Sequence, residues 1–305
     1  MSMPERKPPT LEEVVDYLHG ARSNWGRWGP DDQRGAVNLI TPAKRVAAAS
    51  LVRSGRSVSL SRVWPRTPGP DNPTPAQHYM TMNQRGSGGW AADYYGISYH
   101  GYATTHIDAL CHVWDEHGMW NGRNPQQEIT MGGARFGDID QWRDGIITRG
   151  VLLDVPKHRG VPYVTDDSPV HGWELEEIAA AQGVKLEAGD ALFVYSGREE
   201  FHRANPNRSI GLRPGLHSSC LPFIRDHDVA VLGWDLMDAA NGEYAIPWTV
   251  HGALFAYGVA LVDNCLLQPL ADACVEEGRC DFMLTVAPLR VVGGTGSPAN
   301  PLALF

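Results

Sequence analysis

Short apolar runs alternate with amphipathic stretches through the second half of the chain. Four of these runs are nearly continuous and partly β-branched, which is typical of strands buried inside a sheet: GVLLDV (150–155), ALFVYSG (191–197), VAVLGWD (229–235) and GVALVDN (258–264). The stretches between them have helical character: ELEEIAAAQ (174–182), LHSSCLPFIRDH (216–227) and VHGALFAY (250–257). Strands that alternate with helices predict an α/β fold.

The first 55 residues are predicted to form a mainly helical segment. Thr10 and Glu13 have capping-box spacing, which predicts a helix over 11–19 that ends at Gly20. A second helix is predicted over 43–54, because proline stands at its start and glycine follows its end. Since the chain shows neither an internal repeat nor a clean linker, we expect residues 1–305 to form a single domain.

The region between this segment and the apolar runs is harder to assign. Alternation in SVSLSRVW (57–64) predicts a strand. Residues 64–75 are dense in proline and predict an extended surface loop, and residues 85–89 (RGSGG) are expected to be flexible. Long loops of this kind are often lids or binding loops, and as often plain solvent loops, so both interpretations stay open.

Composition narrows the class of protein. Hydrophobic residues make up 43% and charged residues 20%, which is ordinary for a globular chain. The formal net charge of -9 disfavours nucleic acid as a partner and offers no basic face to an anionic membrane. The chain has no apolar run of about 20 residues that could span a bilayer, and no signal peptide is predicted. Five scattered cysteines without a CxxC pair favour reduced thiols and a cytoplasmic location.

Chemistry-bearing residues concentrate in the segment HGYATTHIDALCHVWDEH (100–117), which holds four of the chain's 12 histidines. If residues 105–108 are extended, His106 and Asp108 project from the same face, because side chains alternate along a strand. An imidazole nitrogen and a carboxylate oxygen converging on one point suit zinc or manganese. His112 lies four residues beyond Asp108 and could act as a proton shuttle, since its ordinary pKa is near neutral.

These residues also have structural interpretations that do not involve a metal. A histidine near a strand is usually a hydrogen-bonded structural residue, and an aspartate before an apolar run can cap a helix. Candidate partners lie far along the chain, where His251 begins a helix-like segment and Asp263 ends a strand-like run. Asp154 and Asp235 also end strand-like runs, but for these two a turn or capping role is favoured.

The paired motifs resemble the cyclase superfamily, also called kynurenine formamidase-like, whose relatives include the isatin hydrolases. The family hallmark is HxGTHxDxPxH, and residues 105–112 match its THxD core and its final histidine. A second family feature is a histidine followed twelve residues later by a carboxylate with a glycine between, as in His251, Gly258 and Asp263. The segments WGPDDQRGAVNLITP and GGTGSPANPLA are also similar to longer members, so the resemblance covers most of the chain.

The resemblance implies a swivelling β/β/α fold, a homodimer or homotetramer, and hydrolysis of an amide, cyclic amide or lactone bond in a small substrate. It implies a zinc or manganese site of one or two ions. By matching position, His106, Asp108, His251 and Asp263 would be ligands, and Asp108 would be able to bridge two ions. His112 would be the general acid and base.

Four departures from the family pattern bear on this site, and one of them is Thr104 in place of the glycine before the threonine–histidine pair. Tyr102 stands where the family has its first motif histidine, so His100 is a candidate to replace that ligand. Leu110 replaces the proline of the hallmark, and Asp263 stands where the family commonly has glutamate. Because aspartate is one methylene shorter, we expect it to bridge two ions less easily.

Aromatic residues around the motif are predicted to bind a ring-containing substrate by stacking, although aromatic side chains are more often packing residues. The candidates are Trp90, Tyr94, Tyr102 and Trp114. The expected mechanism is hydrolysis by water whose pKa a divalent ion lowers from about 15.7 toward 7. A catalytically silent protein that binds a small molecule on the same scaffold is the alternative. The chain has neither a GxSxG elbow nor a phosphate-binding P-loop.

Overall fold

The apolar runs of the second half form the centre of one large sheet. A computed structural model describes residues 6–240 and 244–305. Its strands, in chain order, are β1 (Ser57–Ser59), β2 (Gln77–Arg85), β3 (Gly88–Gly96), β4 (His106–Asp108), β5 (Ile129–Thr130), β6 (Gly133–Ala134), β7 (Ile146–Asp154), β8 (Ala191–Tyr195), β9 (Val231–Trp234), β10 (Ala260–Asp263), β11 (Asp281–Val286), β12 (Gly296–Pro298) and β13 (Leu302–Leu304).

Most helices are short and lie between these strands. They are α1 (Leu11–His19), α2 (Pro42–Ala49), α3 (Pro125–Glu128), α4 (Val155–Arg159), α5 (Gly172–Ala181), α6 (Arg198–Ala204), α7 (Cys220–Asp226), α8 (Ala253–Tyr257) and α9 (Gln268–Glu277). Single 3₁₀ turns occur as well, and the one that matters for the site is Val250–Gly252.

Nine strands form the curled main sheet in the order β1-β13-β11-β7-β8-β9-β10-β4-β12. Strands β7 to β10 are parallel neighbours, and their crossovers contain helices, as parallel pairing requires. The two ends of the sheet are antiparallel, and β4 lies between β10 and β12. This mixed α/β sheet with a single hydrophobic core confirms the predicted fold class.

Helices cover the sheet and bury the apolar strands. α2, α5 and α9 pack against β7, while α1, α7 and α8 pack against one another. The side chains of β8, β9 and β10 are buried along their whole length, which explains why their sequences are continuous apolar runs. The site described below lies where β10 ends beside β4.

The structure confirms the first predicted helix, including the reciprocal capping box of Thr10 and Glu13. The second helix is shorter than the predicted 43–54, because Pro42–Ala49 is followed by turns. The predicted strand 57–64 is regular only over Ser57–Ser59. Beyond that point the backbone leaves β13, and Arg62 turns toward the ends of β4 and β10. Residues 1–5 of the predicted helical segment lie outside the described residues.

Residues 85–89, which were predicted to be flexible, have a regular conformation that the sequence did not predict. They form the tip of a regular hairpin in which β2 and β3 pair over nine residues each. The sequence conceals this hairpin because both of its faces are exposed, so apolar and polar residues do not alternate in the usual way. Residues 64–75 are mainly irregular, as predicted. No helix in the described part of the chain is both long enough and apolar enough to cross a bilayer.

Candidate metal centre

Strand β4 brings the two residues of the THxD core to the same face of the sheet. His106 and Asp108 are separated by Ile107, whose side chain is fully buried on the opposite face. Across the antiparallel pair with β10, His106 lies directly opposite Asp263. Directly opposed residues share a face, so sheet register alone gathers one imidazole and two carboxylates.

The loop before β4 is held against the end of β10 by Asn264. This residue has a left-handed backbone (φ 55°), which asparagine tolerates better than most residues. Its side-chain amide donates to the carbonyls of Gly101 (2.7 Å) and Thr104 (3.0 Å). The fully buried guanidinium of Arg198 donates to the side-chain oxygen of Asn264 and to the carbonyl of Tyr102. The loop that carries His100 is therefore fixed by buried hydrogen bonds.

His251 reaches the same place from the 3₁₀ turn before α8. Its Nδ1 lies 3.0 Å from an oxygen of Asp238, and its Nε2 lies 3.2 Å from Oδ2 of Asp263. Gly258 ends α8 in a left-handed conformation (φ 71°), and a Cβ there would approach the Cα of Gly35 to 2.7 Å. Glycine is therefore required for the tight return from α8 into β10, which ends at Asp263.

Asp108 is the central and least satisfied group of the site. Its side chain is buried, and neither carboxylate oxygen accepts a hydrogen bond of good geometry from any described residue. Three imidazoles face it instead. His100 Nδ1 lies 3.0 Å and His106 Nε2 3.3 Å from Oδ1, and His112 Nε2 lies 3.8 Å from Oδ2. A buried carboxylate needs a compensating positive charge, so a carboxylate surrounded by imidazole nitrogens suits a bound cation.

The donor atoms have the spacing and chemistry that a divalent cation needs. Two groups of three have all their ligand atoms within 4.8 Å of one another. One is His100, Asp108 and His112, and the other is His106, Asp108 and Asp263. Tetrahedral ligands with bonds of about 2.1 Å lie about 3.4 Å apart, which is close to the separations observed. Imidazole nitrogens with carboxylate oxygens suit zinc and manganese, and Asp108 belongs to both groups.

Hydrogen bonds set the tautomer of His106. Its Nδ1 lies 2.8 Å from the carbonyl of Thr104, which can only accept, so Nδ1 carries a proton and Nε2 faces the carboxylates. Burial lowers the pKa of His106, but Asp108 and Asp263 outweigh burial and raise that pKa to about 9. Burial likewise lowers the pKa of His251, which Asp238 and Asp263 hold well above its ordinary value. Without a metal, protons occupy these two imidazoles.

The pKa values of Asp108 and His112 are both lowered, which keeps the carboxylate charged and the imidazole neutral, as metal binding requires. Burial raises the pKa of Asp108, but the surrounding imidazoles, those of His112 and His106 foremost, hold it well below its ordinary value. For His112, burial lowers the pKa to about 4 despite the nearby Asp108. Its ring stacks on His100 with centroids 3.8 Å apart. His112 is therefore a neutral imidazole at neutral pH.

A cavity of about 210 Å³ opens directly onto this cluster. His106, His112, His251 and Asp263 lie on one side of it. The remaining lining includes apolar side chains and one guanidinium, from Tyr102, Ile210, Met237, Trp248 and Arg213. The cavity therefore places a partly apolar binding space against the candidate ligands.

The predicted ligands His106, Asp108 and Asp263 form one of the possible ligand groups, and the predicted candidate His100 belongs to the other. His251, also predicted as a ligand, contacts Asp263 but belongs to neither group. His112 belongs to a possible ligand group, so the geometry allows it to bind metal as well as to carry a proton. Among the predicted aromatic residues, Tyr102 lines the cavity. Trp90 and Tyr94 lie on the exposed β3 strand, and Trp114 borders a separate surface depression, so none of the three lines it.

Sequence reasoning missed several residues that shape the site. Asp238 orients His251, and the indole of Trp234 donates to Asp263 Oδ1. Arg213 and Trp248 line the cavity. The one available signal was the position of Asp238, four residues after the end of β9, where α/β folds place functional groups. Asp154 and Asp235 have the favoured capping roles, at the starts of α4 and α6.

Comparisons with known proteins agree with this fold. A family sequence model described as "Putative cyclase" matches residues 51–240. A crystal structure described as a novel cyclase is 30% identical, with a TM-score of 0.81 over 93% of this chain and 99% of the other. An isatin hydrolase bound to the product analogue thioisatinate is 19% identical, with a TM-score of 0.58 over 86% of this chain and 95% of the other.

A further similar structure is isatin hydrolase A from Labrenzia aggregata, bound to benzyl benzoate. It is 17% identical, with a TM-score of 0.55 over 86% of this chain and 98% of the other. At these identities the two isatin hydrolases show a shared fold. A search of curated protein sequences gave no significant match.

Proposed function

This chain belongs to the cyclase family, and from that membership and the geometry of the site we propose that it is a metal-dependent hydrolase. The bond it cleaves is an amide, cyclic amide or lactone bond in a small, ring-containing substrate. The cofactor we propose is zinc or manganese.

One observation carries the proposal. Asp108 is a buried carboxylate that accepts no hydrogen bond of good geometry within the described part of the chain, and nitrogens of three imidazoles lie within 4 Å of it. A purely structural aspartate at this depth would be expected to accept hydrogen bonds from backbone or side-chain donors. Asp235 is the contrast within this chain, because its buried carboxylate accepts bonds from the backbone amides of Ser196, Gly197 and Arg198.

We assign some residues of the cluster as metal ligands and one residue to proton transfer. His106, Asp108 and Asp263 would hold one cation, and Asp108 with His100 would contribute to a second. When bound, a divalent cation lowers the pKa of water toward about 7 and polarises a substrate carbonyl. Asp238 fixes the ring of His251 by accepting from Nδ1, which leaves Nε2 directed at Asp263.

His112 is suited to move the proton. Its side chain lines the cavity, and its lowered pKa keeps it neutral and able to accept a proton at neutral pH. As water oxygen bonds to the carbonyl carbon, His112 Nε2 takes the proton that the water loses. It returns this proton to the departing nitrogen or oxygen as the carbon–heteroatom bond breaks, so the ring ends the cycle neutral.

The cavity limits the substrate. A volume of about 210 Å³ lies below the roughly 300–1,000 Å³ of pockets that bury drug-sized ligands, which favours a molecule of one or two rings. The side chains of Tyr102, Ile210 and Trp248 provide apolar surface for such a ring. Because isatin hydrolases share this fold, isatin-like cyclic amides belong in the first substrate panel.

The proposal is tested by metal quantitation joined to a hydrolysis screen. Protein purified without chelator is analysed for zinc and manganese and assayed on formamides, isatin-like cyclic amides, imides and lactones. We expect stoichiometric metal, and turnover of at least one class that a chelator abolishes and the metal restores. Protein that binds no divalent ion at all would refute the proposal. Stoichiometric metal with no turnover across the panel would favour a silent binding protein.

A further inference from the structure

Arg213 lines the cavity in front of the candidate ligands, and the proposed reaction does not use it. Among the described residues of the cavity wall, it alone has a side chain that is always positively charged. Much of the remaining wall is apolar, with Ile210, Met237 and Trp248. In cavities of this kind a few polar groups within an apolar lining fix the orientation of the ligand. The position of this guanidinium therefore bears on which substrate the cavity binds.

The backbone of Arg213 has a conformation that arginine seldom adopts. Its φ is 63° and its ψ is 58°, in the left-handed region. Its amide donates to the carbonyl of Ile210 (2.7 Å), and its carbonyl accepts from the amide of Ala240 (3.1 Å). Residues in such conformations persist where the surrounding structure fixes them, and they are frequent at ligand sites. The half-buried side chain of Arg213 therefore begins from a fixed point on the cavity wall.

The segment after Arg213 is joined to the segment that carries Asp238. The amide of Leu216 donates to the carbonyl of Met237 (2.8 Å). Gly215 permits this close approach, because a Cβ there would lie 2.0 Å from the carbonyl oxygen of Met237. Backbone hydrogen bonds therefore set the distance between Arg213 and the part of the metal cluster that Asp238 supports.

The charge of Arg213 acts on that part of the cluster. Burial raises the pKa of Asp238, but His251 and, after it, Arg213 outweigh burial and hold this pKa below its ordinary value. Asp238 lies 3.0 Å from Nδ1 of His251. Arg213 and the candidate ligands are therefore close enough to contact opposite ends of one small molecule.

We propose that Arg213 binds a carboxylate on the substrate, so that the enzyme acts on ring compounds that carry a negative charge. This inference rests on the proposed hydrolysis, because it names the substrate class of the same site. The planar guanidinium matches a carboxylate with two parallel hydrogen bonds. It has five N–H donors, so it can bind a ligand and keep a partner within the protein. In a cavity of about 210 Å³, a molecule of one or two rings that reaches the candidate ligands also reaches Arg213.

The other charges of the chain explain why a carboxylate substrate needs such a residue. The chain carries a net charge of -9, which repels anions. Asp238 and Asp263 also line the cavity. A carboxylate that loses water in a partly apolar cavity needs a positive partner, and Arg213 provides one at a distance from the reacting bond. One permanent positive charge matches a single carboxylate better than a doubly charged phosphate.

The contrasting interpretation is that Arg213 only pairs with Asp238 and supports His251. In that case its loss would slow the hydrolysis of every substrate alike. If Arg213 binds the substrate, its loss would affect charged substrates and leave uncharged ones nearly unchanged. Matched substrates therefore separate the two roles.

Each class of compound that the metal-loaded protein hydrolyses is assayed as a ring carboxylate and as its methyl ester, for example an isatin carboxylate and its ester. We expect Arg213→Met to lower kcat/KM for the carboxylate about 10- to 100-fold, mainly through KM. The value for the ester should change less than about threefold. Arg213→Lys should recover part of the loss, since it restores the charge without the planar fork. The control is Arg208→Met, which removes an ion pair with Asp166 outside this cavity and should leave both values unchanged.

Calorimetric binding of benzoate to metal-free protein keeps this test separate from the proposed hydrolysis. Benzoate should bind the unaltered protein more tightly than benzamide does, and Arg213→Met should remove the difference. If no compound is hydrolysed, the proposed function fails, and the benzoate measurement alone decides the role of Arg213. Equal losses for carboxylate and ester would overturn the proposal. Benzoate binding that Arg213→Met leaves unchanged, or that the unaltered protein lacks, would overturn it as well.

Discussion

Asparagine in place of Asp108 keeps the shape of the side chain and removes the one charge that both ligand groups share. The Nε2 of His106 lies 3.3 Å from Oδ1 of Asp108. At an effective dielectric constant of about 20, unit charges at that separation attract by about 5 kcal/mol, and a dication by about twice as much. Part of this attraction offsets the several kcal/mol needed to bury the carboxylate.

The net loss for Asp108→Asn is therefore on the order of 4 kcal/mol, which is about a thousandfold in the dissociation constant of the metal. Because Asp108 belongs to both groups, every ion should be weakened. Asp263 belongs to only one group, so Asp263→Asn should retain any ion held by His100 and Asp108. Elemental analysis after dialysis gives the number of ions, and calorimetric titration of metal-free protein gives the affinity.

The control for this variant is Asp115→Asn in the same segment. Asp115 pairs with His19 at 2.5 Å, outside the two ligand groups, and should keep full metal content. Circular dichroism checks that each variant is folded. If folded Asp108→Asn protein bound the same ions with unchanged affinity, the reasoning from the unsatisfied carboxylate would be refuted.

Three further predictions concern proton transfer, pH and the supporting loop. His112→Ala should keep its metal and lower kcat about 10²- to 10⁴-fold; loss of an ion would instead make His112 a ligand. In the metal-free protein the pKa of His106 is about 9, so below that pH a proton competes with the metal for this imidazole. Metal affinity measured by titration should therefore rise about tenfold per pH unit for each displaced proton and level off above pH 9, and a flat profile would contradict this. Arg198→Met should lower the free energy of unfolding, measured in urea, by about 3–5 kcal/mol. The control is Arg203→Met, which removes an exposed ion pair on the same helix and should lower that free energy by less than about 1 kcal/mol. Equal losses in the two variants would show that Arg198 does not anchor the loop.

The central strands could be predicted because the sequence of each strand by itself shows that the strand is buried. Strands buried on both faces need continuous apolar sequence, and the four runs of the second half supplied β7 to β10. The shared face of His106 and Asp108 followed from the period of two along a strand. The hairpin at 77–96 was missed because no core selects one of its faces, so its pattern carries little hydrophobic periodicity.

The rest of the site depends on pairings between distant segments. His106 lies opposite Asp263 because of the register in which β4 pairs with β10, and neither strand's sequence by itself predicts that register. The resemblance to a family supplied Asp263 and His251 instead. Asp238 was missed because it lies thirteen positions before His251 in the sequence, and no helix or strand period relates the two positions.

The most direct test of the metal centre is a crystal structure of protein purified without chelator, with data collected on both sides of the zinc and manganese absorption edges. The account predicts an anomalous difference peak between His106 Nε2, Asp108 and Asp263, with any second peak beside His100 and the other oxygen of Asp108. A well-ordered site without an anomalous peak, in which added zinc or manganese binds elsewhere, would contradict it.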